Sequence, residues 1–330
     1  MAASRERRLA FFPEFLIVLV FFIICLGFAI ALRIQLGDWR FFSTDNQLTI
    51  LRQASFTAMV GVGMTFVILT GGIDLSVGGV VALSGVVGCM ALMDWHSGIP
   101  LALVVGVAVG AAFGIFNGSV IAWLSVPPFI ATLATWFIAG REGGLAFLVT
   151  NGETVPNLPD GFTVIGQGRV STSLGPGIPV PALIMLVIVI IAHLVLRFTR
   201  FGRHVYAIGG NEEAARLSGI AVRRVKVAVY VISGALAGLA SMIAAARLGS
   251  GDPKTGVGWE LDAIAAVVVG GTSIFGGRGS VLKTLIGALL FSEMSSGLTQ
   301  LGAQSFLHPV IKGGIILLAV LIDQLTKRSS

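Results

Sequence analysis

The sequence predicts an all-α, polytopic integral membrane protein with about ten transmembrane helices and both termini in the cytoplasm, the number of apolar runs near the ~20 residues a bilayer needs setting the count. Three observations carry that prediction. Of its 330 residues, 55% are hydrophobic and only 12% are charged, against about 25% charged in a soluble domain. The apolar residues gather into long runs of the length a bilayer crossing needs. Those runs are continuous rather than alternating, which argues for helices over a β-barrel.

In chain order, Arg5, Arg7 and Arg8 precede an apolar run from Phe15 to Leu32. The run is long for a signal peptide and no small-x-small cleavage site follows it cleanly, so it reads as helix 1 with the N-terminus inside. Further spans are expected at roughly 50–70, 77–94, 100–123, 128–148, 180–197, 226–247, 260–276, 281–300 and 306–325. Residues 1–330 read as a single transmembrane domain. A cytosolic loop is expected over about 198–225 and a long outside loop over about 150–179, the latter rich in proline and glycine and therefore irregular.

Charge tests the orientation. On this topology 14 Lys and Arg face the cytoplasm: Arg5, Arg7, Arg8, seven in the central loop, Arg278, Lys283, Lys327 and Arg328. Six face outside, namely Arg33, Arg40, Arg52, Arg169, Arg247 and Lys254. That split follows the positive-inside rule. The net charge of +6 therefore reports orientation in a lipid membrane rather than nucleic-acid binding. Cys25 and Cys89 fall inside apolar runs and imply no disulfide framework.

The central loop carries Arg197, Arg200, Arg203, Arg216, Arg223, Arg224 and Lys226 against Glu212 and Glu213. Its middle reads as a short helix with both ends written in. Asn211 suits the N-cap, Glu212 and Glu213 suit the first turn, and Gly219 suits a left-handed stop. Ala214, Ala215, Arg216, Leu217 and Ser218 fill the turns between, with Ala214, Ala215 and Leu217 as contact residues for a partner.

Two glycine-rich breaks resemble each other: Gly71-Gly72-Ile-Asp-Leu-Ser-Val-Gly78-Gly79 and Gly270-Gly271-Thr-Ser-Ile-Phe-Gly276-Gly277. They fit either an internal duplication, as in transporters with broken helices, or chance among 44 glycines. In the first break, Asp74 and Ser76 are expected to cap the next helix rather than bind an ion, since one carboxylate is too few ligands. Gly106, Gly110, Gly114 and Gly118 form a stripe that lets another helix approach, most simply as bundle packing.

Arg141 and Glu142 are ionisable groups within a span, where they either serve structure or line a path. Asn117, Thr132, Thr135 and Trp136 offer neutral hydrogen bonding and an aromatic face, chemistry that suits an uncharged polyol, although each alone is also ordinary packing glue. These four residues and Glu142 form the candidate substrate path. Glu293, Lys312, His193, His308 and Asp323 are scattered, and no spacing makes a metal site. No nucleophile elbow or phosphate loop is present, so no catalytic residue and no cofactor is expected in this chain.

Glu213-Ala214-Ala215-x3-Gly219 resembles the EAA loop of ABC importer permeases, although no Ile-x-Leu-Pro follows the glycine. With the first glycine-rich break, Pro128-Phe-Ile-Ala-Thr-Leu-Ala-Thr135, Gly209 to Gly219, and Glu260 to Thr272, the chain is similar to the ribose-type permeases of bacterial ABC sugar importers over roughly residues 15–325. The resemblance implies a permease in a bacterial inner membrane that pairs with a second permease copy, a two-cassette ATPase holding ATP and Mg, and a periplasmic binding protein. It implies import of a monosaccharide, with ribose or another pentose foremost. A secondary, ion-coupled transporter is the rival; it needs a coupling carboxylate, for which Glu142 is the candidate.

Overall fold

The computed structural model describes residues 19, 21–35, 37–140, 143–172, 175–304, 306–315 and 317. The tails with Arg5, Arg7, Arg8, Asp323, Lys327 and Arg328 lie outside the described residues, as do Arg141 and Glu142.

Helix α1 spans Phe21–Gln35. A short turn at Arg40–Phe42 leads to α2, Thr44–Leu69, whose N-cap Ser43 accepts the Asn46 N–H and whose first turn carries Asp45. Then follow α3 (Val77–Met93), α4 (Ile99–Trp123), α5 (Pro128–Ala139), α6 (Leu145–Thr150) and α7 (Asp160–Gln167). A hairpin of β1 (Arg169–Thr172) and β2 (Gly175–Pro179) precedes α8 (Val180–Phe198), α9 (Arg200–Gly210), α10 (Glu212–Leu217), α11 (Val222–Leu248), α12 (Trp259–Val269) and α13 (Val281–Gln300). Residues 307–315 are again helical.

Helices α2 and α11 form the centre. From Ala54 onward α2 is almost wholly buried, and α11 lies buried between it and α4. The contacts are close because small residues meet. A Cβ on Gly63 would stand 2.8 Å from Ser233 Cα, and a Cβ on Gly110 would strike the Gly234 carbonyl. Gly106, Gly114 and Gly118 face Met242, Tyr230 and Val227 in the same way, so the α4 stripe is packing within the chain. Helices α4 and α8 turn bulky apolar faces outward, among them Leu101, Val104, Ile115 and Phe116, and Leu186, Ile190, Ile191 and Leu194. Among the described residues, α2, α4, α8, α11 and α13 are long and apolar enough to cross a membrane.

Three boundaries differ from expectation. The expected span 128–148 is two pieces, α5 and α6, because the chain breaks at Gly140, where a Cβ would strike the Gly79 backbone. The expected span 260–276 stops at Val269, because Gly271 turns left-handed at φ 83°. The 150–179 segment is more ordered than an irregular loop: it holds α7, whose Phe162 is buried beside Met242, and the β1–β2 hairpin. Val155 also pairs with Gly251, tying that segment to the end of α11.

The two glycine-rich breaks use one stop. Gly71 N–H donates to Ile68 and Gly72 N–H to Val67, while Gly271 N–H donates to Val268 and Thr272 N–H to Val267. Gly71 sits at φ 77°. Each is a left-handed glycine stop with a six-to-one bond closing the last turn. The first stop also meets the far end of the second break: Gly277 N–H donates to Leu69 O at 3.0 Å, and Gly209 at the end of α9 presses directly on both residues.

Candidate functional site

The first break turns inward after its stop, and a polar network forms around it. Asp74 is buried. Its Oδ1 accepts the Ser76 hydroxyl at 2.5 Å and the Ser76 N–H at 3.1 Å, and its Oδ2 accepts the Ser233 hydroxyl at 2.8 Å. Asn117 Nδ2 donates to Ser76 Oγ at 2.9 Å, and Thr135 Oγ1 donates to Asn117 Oδ1 at 2.5 Å. The Ile73 carbonyl lies 3.4 Å from Thr132 Oγ1 and 3.5 Å from Tyr230 OH. Thr132 donates more closely to Pro128 O, at 2.8 Å.

The network joins the α2–α3 link to α4, α5 and α11. A buried carboxylate is costly unless its oxygens are hydrogen-bonded, and here two hydroxyls and one amide meet it. Ser233 lies 11 residues into α11, about 17 Å along a helix of about 40 Å. The network therefore sits near the middle of the bundle rather than at its surface.

Asp74 and Ser76 do not cap α3 as expected. Ser76 holds the N-cap position with helical dihedrals and makes no side-chain cap bond, because its hydroxyl is committed to Asp74. Asn117, Thr132 and Thr135 are all buried; Thr135 is bonded to Asn117, while Thr132 joins the network only through the Ile73 carbonyl. Trp136 stands aside, half-buried, with its ring edge-on to Phe137. Two participants were missed in the sequence, Ser233 and Tyr230. In the sequence Ser233 and Gly234 are simply adjacent small residues of an apolar run, with nothing nearby to name a partner.

The second candidate region is the basic face. Asn211 Oδ1 accepts the Ala214 N–H at 2.9 Å, so Asn211 is the N-cap of α10. Gly219 lies at φ 83° and donates to Arg216 O, closing the helix. Glu212 pairs with Lys226 at 2.7 Å, fixing α10 to the start of α11. Glu213 binds Arg216, whose hydrogen bonds hold the Glu213 carboxyl below the usual range. Ala215 is 4% exposed and packed into the core, whereas Leu217 is 76% exposed. Ala215 is thus the anchor of α10 rather than a contact residue; Leu217 and Ala214 face outward. Helix α9, which the sequence reading merged into the loop, carries α10: its Gly202, Val205 and Ile208 are buried, and Tyr206 OH donates to Gly279 O at 2.9 Å. Burial pushes the Tyr206 phenol up.

Other charged groups are used locally. Lys312 pairs with Asp262 at 2.8 Å, and Arg169 with Asp45 at 3.8 Å. Glu293 is buried, with no hydrogen-bond partner for Oε2 among the described residues. Among those residues no three His, Cys, Asp or Glu side chains converge as a metal site.

Long apolar helices around a mid-bundle break, with a capped helix on a basic face, define a polytopic membrane permease. The chain belongs to the family described as branched-chain amino acid transport system / permease component, whose pattern matches residues 46–320. It is 44% identical to the ribose import permease protein of Escherichia coli (strain K12) over 287 residues, 86% of this chain and 87% of that one. Identity to the Bacillus subtilis (strain 168) ribose import permease protein is 44% over 299 residues, 90% of each chain. A xylose transport system permease protein of Haemophilus influenzae is 37% identical over 347 aligned positions, 88% of this chain and 92% of that one. No solved structure matches. The chain is a multi-pass membrane permease component of a transport system, not an enzyme.

Proposed function

We propose that this chain is the membrane-spanning permease of an ATP-binding-cassette importer that moves a monosaccharide, a pentose foremost, across a bacterial inner membrane by alternating access. The observation that carries the reading is α10, a capped helix anchored by Ala215 and presenting Leu217 on the basic face. Its relatives' names, ribose and xylose permeases, supply the substrate class.

In this reading the chain has ten spans and cytoplasmic termini. It pairs with a second permease copy, receives sugar from a periplasmic binding protein, and is driven by a cytosolic ATPase that holds ATP and Mg. The ATPase grips Asn211 to Gly219. Its movement reaches the bundle through α9 and the salt bridge from Glu212 to Lys226. Asn117, Thr132, Thr135, Trp136 and Glu142 border the sugar path, the first three opening when α5 separates from α4. A ligand can bias two packings only by binding them unequally.

The test is uptake of labelled ribose, xylose and allose into proteoliposomes containing the permease, with and without the ATPase and binding protein. ATP-dependent uptake of one sugar supports the reading. Uptake without the ATPase, driven by an ion gradient, would replace it with the secondary-transporter reading.

A further inference from the structure

A separate cavity opens beside the basic face. It measures about 510 Å³ and is lined by His193, Leu196 and Arg197 of α8, Arg203 and Tyr206 of α9, and Ser280 and Val281 at the start of α13. We propose that it binds the phosphodiester headgroup of an anionic phospholipid from the leaflet at the basic face.

Three observations converge on an anion. Arg197 and Arg203 enter the lining from two different helices, and neither has a carboxylate partner among the described residues. Ser280, which caps α13 by accepting the Leu282 N–H, and Val281 place that helix's N-terminus in the cavity wall, and no acid occupies its first turn to offset the dipole. Ser280 and His193 add polar atoms, and the bond from Tyr206 to Gly279 O fixes α9 against the α13 entry, so the wall is held rather than loose.

Position selects lipid as the carrier of that anion. His193 to Arg197 form the last turns of α8, a helix long and apolar enough to cross a bilayer, so the cavity sits where headgroups lie. Ile190, Leu194 and Phe198 of α8 and Leu282 of α13 are exposed apolar neighbours that acyl chains can cover. Basic pockets between transmembrane helices at this depth bind anionic headgroups. Arginine suits the task because its planar fork binds phosphate oxygens in pairs.

The experiment is native mass spectrometry and thermal unfolding of the full-length chain in detergent. It is titrated separately with phosphatidylglycerol, phosphatidylcholine and inorganic phosphate. Phosphatidylglycerol should be retained and raise the unfolding temperature; the other two should not. Arg197→Gln and Arg203→Gln should each weaken retention roughly tenfold. Arg223→Gln removes the same charge from an exposed site outside the cavity and should change nothing. On the unaltered chain, a photoreactive phosphatidylglycerol analogue should label residues 193–206. Equal retention by the cavity variants, equal loss in Arg223→Gln, labelling elsewhere, or stabilisation by inorganic phosphate alone would each overturn the proposal.

Discussion

Ser233 donates its hydroxyl to Asp74 at 2.8 Å, a bond between residues 159 apart in sequence that ties the first glycine-rich break to the centre of α11. Around it, Ser76, Asn117 and Thr135 extend the same chain of donors to α4 and α5. A hydrogen bond to a charged group contributes about 1.5–3 kcal/mol, and leaving a buried carboxylate short of donors costs about as much.

Removing parts of this network should therefore destabilise the protein in a set order. Asp74→Ala should lower the detergent-solubilised unfolding temperature most, since it strands Ser76 and Ser233. Ser233→Ala should lower it less, by about 1–3 kcal/mol of stability. Asp74→Asn, which keeps the shape and an acceptor for Ser76, should lower it least. If Asp74→Ala unfolds no earlier than the unaltered protein, the network is not holding the break.

The α4–α11 contact should reject even a methyl group. Gly110→Ala places a Cβ against the Gly234 carbonyl and should cost about 1–3 kcal/mol through forced separation of the helices. Gly210→Ala meets nothing within 4 Å and should be neutral or slightly stabilising. Thermal unfolding of the two variants checks the contrast.

Docking of an ATPase is tested at Leu217, not at Ala215. Leu217→Asp should leave the permease folded and lose both ATPase retention on purification and sugar uptake. Ala215→Asp buries a carboxylate under α10 and should destabilise the basic face itself. Asn211→Ala should cost about 0.5–2 kcal/mol of local order, and Gly219→Val should disturb the left-handed stop. Normal retention and uptake in Leu217→Asp and Gly219→Val together would remove α10 as the coupling element.

Sidedness is open to cysteine labelling because Cys25 and Cys89 are buried and give a quiet background. Glu153→Cys, in the segment before α7, should react with an impermeant maleimide added outside intact cells. Leu217→Cys should react only after the cells are opened. The opposite pattern would invert the topology.

Features written in local chemistry were legible in the sequence. The caps at Asn211 and Gly219 depend on residues within one or two turns, and apolar length marks α2, α4, α8, α11 and α13. Features written in tertiary contact were not. Gly140 looks like any other glycine until Gly79 is found against it, so the division of α5 from α6 could not be read. Ser233 looks like a small packing residue until Asp74 arrives from elsewhere in the chain. The inward turn of Ala215 depends on α9, whose buried Gly202, Val205 and Ile208 did carry a readable helical spacing that the basic residues around them obscured.

Where Leu69, Gly209 and Gly277 meet, backbone touches backbone with no side chain between. Side chains act as a compliant layer in most helix contacts, since a change of rotamer absorbs small shifts before the main chain responds. This junction has no such cushion. A displacement of α9 would therefore bear directly on the end of α2 and on the Gly276–Gly277 turn between α12 and α13, coupling the basic face to the interior of the bundle through main chain alone.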